Sequence, residues 1–166
     1  EVKRIGGEDR YEQAALVARE ILKLRKDELV EEMYIADGKG FSDSLNIATL
    51  AAEKKTPILL VNNQLSDYVT SFVEDSRSFT IVGGPHSINQ GLQQELSRFT
   101  TVERIQGANR YTVNRNILKQ SPSVKHYFVV SGDHYSDALP ASLLAEKFNA
   151  GILFVRSGSP SNIKEQ

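Results

Sequence analysis

Apolar positions along the chain alternate between two periods. Tyr11, Ala14, Ala15, Ala18, Ile21 and Leu22 recur at helical spacing and predict an amphipathic helix. Met33 to Ala36 and Pro57 to Val61 are uninterrupted apolar runs of the kind buried in strands, and a helix from about Asp43 to Lys55 is predicted between them. Short strands are also predicted at Val2 to Ile5 and at Phe79 to Val82, the second entered from a helix begun at Ser66. Gly83-Gly84-Pro85 then turns the chain, and Ser87-Ile88-Asn89-Gln90 has the capping-box form that opens a helix. The plan recurs as a strand near Val102 to Ile105, a helix from Tyr111, a strand at His126 to Ser131, a helix from Asp137 and a strand at Gly151 to Val155. Such alternation with short connections predicts an α/β fold, a mostly parallel sheet covered by helices with right-handed crossovers.

The recurrence is also visible residue by residue. Arg4-Ile5-Gly6-Gly7-Glu8-Asp9-Arg10-Tyr11 returns as Arg104-Ile105-Gln106-Gly107-Ala108-Asn109-Arg110-Tyr111, with five of eight residues shared at an offset of 100. Phe41 to Leu45 returns as Tyr135 to Leu139, and Pro57 to Val61 as Gly151 to Val155, both at an offset of 94. Three blocks in one order mark a duplication, with the length change falling around Leu22 to Glu32. The first module is expected over residues 1–101 and the second over 102–166. By this alignment Gln166 corresponds to Phe72, so the second module is expected to be incomplete at its C-terminal end.

Composition narrows the chemistry. In 166 residues, 40% are hydrophobic and 25% charged, as in ordinary globular chains, and there is no cysteine. A disulfide framework, a thiolate metal site and a thiol nucleophile are therefore excluded. Net charge is −1, which argues against general nucleic-acid binding. The charge is unevenly spread: residues 1–102 carry 12 Lys+Arg against 16 Asp+Glu, and residues 103–166 carry 8 against 5, so the second part is the better host for an anion. No apolar run approaches the roughly 20 residues needed to cross a bilayer. The opening Glu1 to Gly7 lacks an initiator methionine and an apolar signal core, as expected of a mature or excised segment.

Candidate sites follow from what the duplication keeps. Gly83-Gly84, like Gly6-Gly7, lies between a strand and a helix, where backbone N–H groups could receive a phosphate or carboxylate. Neither pair has nucleotide-loop spacing, so a nucleotide site is weakly supported and a tight turn with positive φ is the favoured reading. Arg10 and Arg110 precede Tyr11 and Tyr111 in both copies, implying a definite partner for each guanidinium: an internal carboxylate such as Asp43 or Asp137, or an external anion. The two tyrosines read as core residues. Ser42-Asp43 and Ser136-Asp137 open helical runs and read first as caps, with Pro140 then falling in a first helical turn. His134 beside Ser136 and Asp137 does not make a catalytic triad, since neighbours on one turn seldom converge and its counterpart is Gly40. His86 and His126 are isolated, and no cluster has metal-ligand spacing. Neither a cofactor nor an active site is expected. Pro57, Ile58, Leu59 and Leu60 read as a central strand buried on both faces, with a further role at a module interface.

These blocks resemble the clostridial cell-wall-binding repeat of the second type. Its units carry an Arg-Ile-x-Gly-x-x-Arg-Tyr block, seen at Arg4 to Tyr11 and Arg104 to Tyr111, and a Phe-Ser/Ala-Asp-Ala/Ser-Leu block, seen at Phe41 to Leu45 and, with Tyr for Phe, at Tyr135 to Leu139. A Pro-Ile-Leu-Leu strand follows at Pro57 to Leu60, altered to Gly151 and Phe154 in the second copy, and an Ile-x-Gly-Gly turn at Ile81 to Gly84. The resemblance implies Rossmann-like modules, usually in three tandem copies, that anchor a secreted surface protein without a covalent bond to an anionic secondary polymer of a Gram-positive wall. It implies binding rather than catalysis, a cell-wall or cell-surface location, and partners such as wall amidases, proteases or adhesins elsewhere in the parent chain. The polymer-binding residues are then expected to be Arg10, Ser42, Asp43, Gly83, Gly84, Arg110, Ser136 and Asp137. Neighbouring repeat modules are expected partners, as is self-association of the truncated chain. An enzyme or nucleotide-binding domain on a Rossmann-like sheet is the alternative, and a structural spacer a third reading.

Overall fold

The computed structural model describes residues 2–25, 29–121 and 123–156. Its first repeat builds a parallel sheet from β1 (Met33–Asp37), β2 (Ile58–Val61), β3 (Ser78–Val82) and β4 (Thr101–Ile105), in the order β2-β1-β3-β4. The helices α1 (Arg10–Arg25), α2 (Ser42–Glu53), the single-turn α3 (Asp67–Thr70) and α4 (Gln90–Leu96) connect these strands. The second repeat supplies α5 (Arg110–Leu118), β5 (Tyr127–Ser131), α6 (Tyr135–Lys147) and β6 (Gly151–Val155), with β5 and β6 paired in parallel as a separate two-stranded sheet. The α/β architecture with duplicated, helix-flanked parallel sheets is that expected from the alternating periods.

The central strands are apolar because both their faces are covered. Met33, Tyr34, Ile35 and Ala36 of β1 are fully buried, as are Phe79, Ile81 and Val82 of β3. On one side Ala15 and Ala18 of α1 pack with Met33, Ile35, Leu59, Phe79 and Leu92. On the other, Ile47, Leu50 and Ala51 of α2 join Tyr34 and Val82 to Ile105, Val113 and Ile117. The second cluster crosses the repeat boundary. A third cluster does the same, placing Leu45 and Phe41 against Tyr111, Val130 and Ala138. Helix α2 is therefore an apolar wedge shared by both repeats.

Several local expectations are corrected. Val2 to Ile5 is not a strand. Its counterpart, β4, pairs with β3 of the first repeat, from Ser78 opposite Thr101 to Val82 opposite Ile105, and Val2 to Ile5 has no such partner strand among the described residues. The helix begun at Ser66 amounts to one turn followed by a 3-10 turn at Val73–Asp75. Asn89, not Ser87, caps α4, accepting the Leu92 N–H at 2.8 Å. Pro57 to Leu60 is not central: β2 is an outer strand whose burial alternates, with Leu59 and Val61 buried and Ile58 and Leu60 partly exposed. The single-sided cover of an outer strand accounts for that alternation. Pro140 lies in the second turn of α6 rather than the first, because the helix starts at Tyr135. The length change around residues 22–32 falls partly outside the described residues.

Candidate functional site

The order β2-β1-β3 reverses direction at β1, so the crevice between the C-terminal ends of β1 and β3 is the switch point where parallel α/β sheets receive ligands. Asp37 ends β1, Val82-Gly83 ends β3, and the first turn of α2 brings Ser42 and Asp43 between them. Gly83 has φ 112°, and a Cβ on it would strike the Asp43 carboxylate. Only glycine lets the turn close over that acid. Asp43 is 7% exposed. Burial raises its pKa, opposed by the Ser87 hydroxyl; nearby Asp37 raises it further, while Arg110 and the Ser42 hydroxyl pull it down.

Ser42 and Asp43 are not caps. The N-cap position of α2 is Phe41, which makes no side-chain capping bond, so the two residues lie inside the first turn. There an acid still complements the positive helix end. Ser136 and Asp137 occupy the same place in α6, after the N-cap residue His134. The copies differ in cover: Asp43 is buried beneath Gly83 and close to Arg110, whereas Asp137 is exposed.

Each arginine is held by a backbone carbonyl, and Arg110 in addition lies near enough to the Asp43 carboxylate to favour its charged form, as an internal partner would. Arg10 donates from Nη1 to the Gly38 carbonyl at 2.6 Å, and Arg110 donates from Nη1 to the Gly132 carbonyl at 2.5 Å. Gly38 and Gly132 correspond at the offset of 94, so each repeat uses its helix-start guanidinium to hold the loop after its first strand. The adjacent tyrosine covers the same loop: a Cβ on Gly132 would come within 2.5 Å of the Tyr111 ring. Arg110 also lies 5.6 Å from the Phe41 ring centroid, and its carbonyl accepts from Asn46 Nδ2 at 3.2 Å. Arg110 thus joins α5 to the first turns of α2.

Gly84 follows the glycine turn and is partly exposed at the mouth of the crevice. Pro57, Ile58, Leu59 and Leu60 lie at the opposite, N-terminal end of the sheet or along β2, with Ile58 against the cluster that crosses between repeats. They are not brought to the crevice. Two participants escaped sequence reasoning. Ser87 was read as a cap and instead bonds Asp43. Arg104 of β4 donates from Nη1 to the Gly83 carbonyl at 2.8 Å and from Nε to Gln93 Oε1 at 2.9 Å, so a strand of the second sequence repeat holds the glycine turn of the first. Its recurrence as Arg4 was the available signal.

Each repeat thus fixes its helix-start arginine to the loop after its first strand. The sequence model described as cell wall binding domain 2 (CWB2) matches residues 4–93 and 104–166. The chain belongs to this family. One matched segment lies within each repeat, and the break between them runs from within α4 into β4. Among curated relatives, the wall-binding chain is 32% identical to the amidase enhancer of Bacillus subtilis (strain 168) over 95% of its own length and 21% of that protein's. It is 25% identical to the N-acetylmuramoyl-L-alanine amidase LytC of the same organism, over 99% of its length and 34% of LytC. Of solved structures, Cwp6 from Clostridium difficile superposes with a TM-score of 0.80 at 29% identity, covering 92% of this chain and 25% of Cwp6. Cwp8 from the same organism gives 0.81 at 26% identity, covering 98% and 28%. The chain thus spans 21 to 34% of the length of each of these relatives. It is a non-catalytic cell-wall-binding unit of the cell wall or cell surface.

Proposed function

We propose that the two units, residues 1–101 and 102–166, hold a parent protein non-covalently to an anionic secondary polymer of a Gram-positive wall. The observation that carries this reading is the matched pair of arginines, Arg10 on Gly38 and Arg110 on Gly132, each fixed at the ligand-receiving end of a parallel strand. A guanidinium held by one N–H keeps further donors for phosphate or carboxylate oxygens. Ser42, Asp43, Gly83 and Gly84 shape the crevice of the first repeat, and Ser136 and Asp137 open the corresponding helix of the second. Weak contacts repeated along a polymer sum by avidity, so neither repeat needs high affinity. The parent chain carries any lytic activity, such as an amidase or protease, outside these residues.

The test is sedimentation of the chain with purified Gram-positive walls before and after removal of the anionic polymer. Binding is expected to the intact walls, to fall on stripping, and to weaken with salt because exposed charges are screened over about 8 Å at physiological ionic strength. Equal binding to stripped walls would overturn the polymer as the ligand.

A further inference from the structure

The helix starts and strand-end loops of the two repeats are alike in backbone and differ in charge. At the start of α1 the Asp9 carboxylate accepts the N–H groups of Tyr11 and Glu12 at 2.8 and 2.9 Å. At the start of α5 the Asn109 amide oxygen accepts those of Tyr111 and Thr112, both at 3.0 Å. After β1 the Asp37 carboxylate accepts from the Lys39 N–H at 3.1 Å, and after β5 the Ser131 hydroxyl accepts from the Asp133 N–H at 3.2 Å. The Glu12 carboxylate accepts the Glu8 N–H at 2.5 Å, and the Thr112 hydroxyl accepts the Asn109 N–H at 3.2 Å. In the first two cases a neutral oxygen in the second repeat accepts the same N–H that a carboxylate accepts in the first, and in the third Thr112 accepts the N–H one residue further along. The fold therefore does not require the charges of Asp9 and Asp37.

Glu8, Asp9, Glu12 and Asp37 are thus matched by Ala108, Asn109, Thr112 and Ser131. A cation is also gained: Arg156 stands where the first repeat has Asn62, its guanidinium carbon 5.5 Å from the Tyr111 ring centroid. One exchange runs the other way, Lys39 to Asp133, but the Asp133 carboxylate is engaged by the Tyr111 hydroxyl at 2.8 Å. In the helix-start and strand-end segments the first repeat sets four carboxylates against Arg10 and Lys39, and the second sets Asp133 against Arg110 and Arg156. Asp43 of the first repeat also acts on Arg110, and its counterpart Asp137 is exposed.

We infer that the repeats divide the work unequally: the second takes the larger share of the polymer's anionic groups at Arg110 and Arg156 beside Tyr111, while the carboxylates around Arg10 weaken their binding at the first. Residues 8 and 9, against 108 and 109, are then specificity-determining positions. An anion approaching Arg10 meets Glu8, Asp9 and Glu12, all within two residues of it in sequence, and repulsion between charges is felt over a screening length of about 8 Å. Repulsion of this kind is an established means of rejecting a ligand at an otherwise suitable surface. The inference rests on the anionic-polymer reading above, and it adds that the two copies of the motif contribute unequally.

The experiment exchanges the charges. Ala108→Glu with Asn109→Asp places the first repeat's acids in the second, and Glu8→Ala with Asp9→Asn does the reverse. Both pairs retain an oxygen at the capping position, and far-UV circular dichroism checks that they fold. Each is measured on purified walls with and without the anionic polymer, beside Arg156→Asn. The acid pair in the second repeat is expected to weaken polymer-dependent binding at least about tenfold. Arg156→Asn is expected to weaken it as well, and the neutral pair in the first repeat to leave it equal or tighter. If the two repeats respond alike, or if the acid pair in the second repeat changes nothing, the division of work is wrong. If the unaltered chain fails to distinguish the two wall preparations, the polymer reading itself falls and the inference with it.

Discussion

At the scale of single residues, Asp43 shows how the crevice is held. Its carboxylate is buried between α2 and the glycine turn, and desolvation is the largest influence on it, pushing the pKa up against the Ser87 hydroxyl and Arg110. An acid whose folded pKa exceeds its unfolded value of about 4 gives stability that is complete below the unfolded value and lost as pH rises through the folded one. Asp43→Asn, measured by chemical denaturation from pH 3 to 7, is therefore expected to improve relative to the unaltered chain as pH rises. Referring each pH to the unaltered chain removes the opposite contribution of Glu32, whose carboxyl is held below the usual range by Thr80, Lys54 and Tyr34 despite burial. A difference independent of pH would show that Ser87 and Arg110 solvate the carboxylate as well as water does. Arg10, Arg110, Ser42 and Asp43 stood out in the sequence because both copies keep them. Their partners did not, since Gly38 and Gly132 accept through backbone carbonyls that no side-chain pattern reveals.

At the scale of elements, the second repeat protects a strand that the first leaves bare. Gly151 donates to the His126 carbonyl and Gly132 to the Val155 carbonyl, so the groups of Ile152 and Phe154 point to the open side of β6. Asn114 of α5, 1% exposed, closes that side by donating from Nδ2 to the Ile152 carbonyl at 2.8 Å and accepting the Phe154 N–H at 3.0 Å. Unpaired strand edges invite association with other chains, and a buried amide is one way of blunting them. Ala14 occupies the corresponding position in α1 and cannot do this. Asn114→Ala leaves two buried backbone groups unpaired, and a loss of about 2 to 4 kcal/mol is expected. Faster hydrogen exchange at the Phe154 amide, with β1 and β3 unchanged, would locate the effect in β6. The alternation of helices and strands was legible because the apolar period is set locally. The outer position of β2 was not, since four consecutive apolar residues look alike whether a strand is covered on both faces or along one.

At the scale of the whole molecule, the sequence repeat and the sheet do not share a boundary. The Arg-Ile block that opens the second copy is β4, and it completes the sheet of the first. Duplication reveals which segments are alike but not which copy a segment joins, because pairing depends on the edge that folding leaves open. Two apolar clusters also cross the boundary: Ile105, Val113 and Ile117 lie among α2 residues and Tyr34, and Leu45 lies among residues of the second copy. A chain of independent beads would unfold in two steps, one for each repeat. A shared core makes the halves a single cooperative unit, as in arrays where the interface supplies stability that neither repeat has alone. Ile117 belongs to the second repeat by sequence and is 1% exposed in the cluster against α2. Ile117→Ala should cost about 2 to 5 kcal/mol by leaving a cavity in that cluster. The cost should appear equally in amides of β1 and β3, in the first repeat, and of β5 and β6, in the second, when hydrogen exchange is followed under conditions that report global unfolding. Loss of protection confined to β5 and β6 would show that the first repeat stands without its neighbour, and that the shared helix α2 joins two separately stable halves.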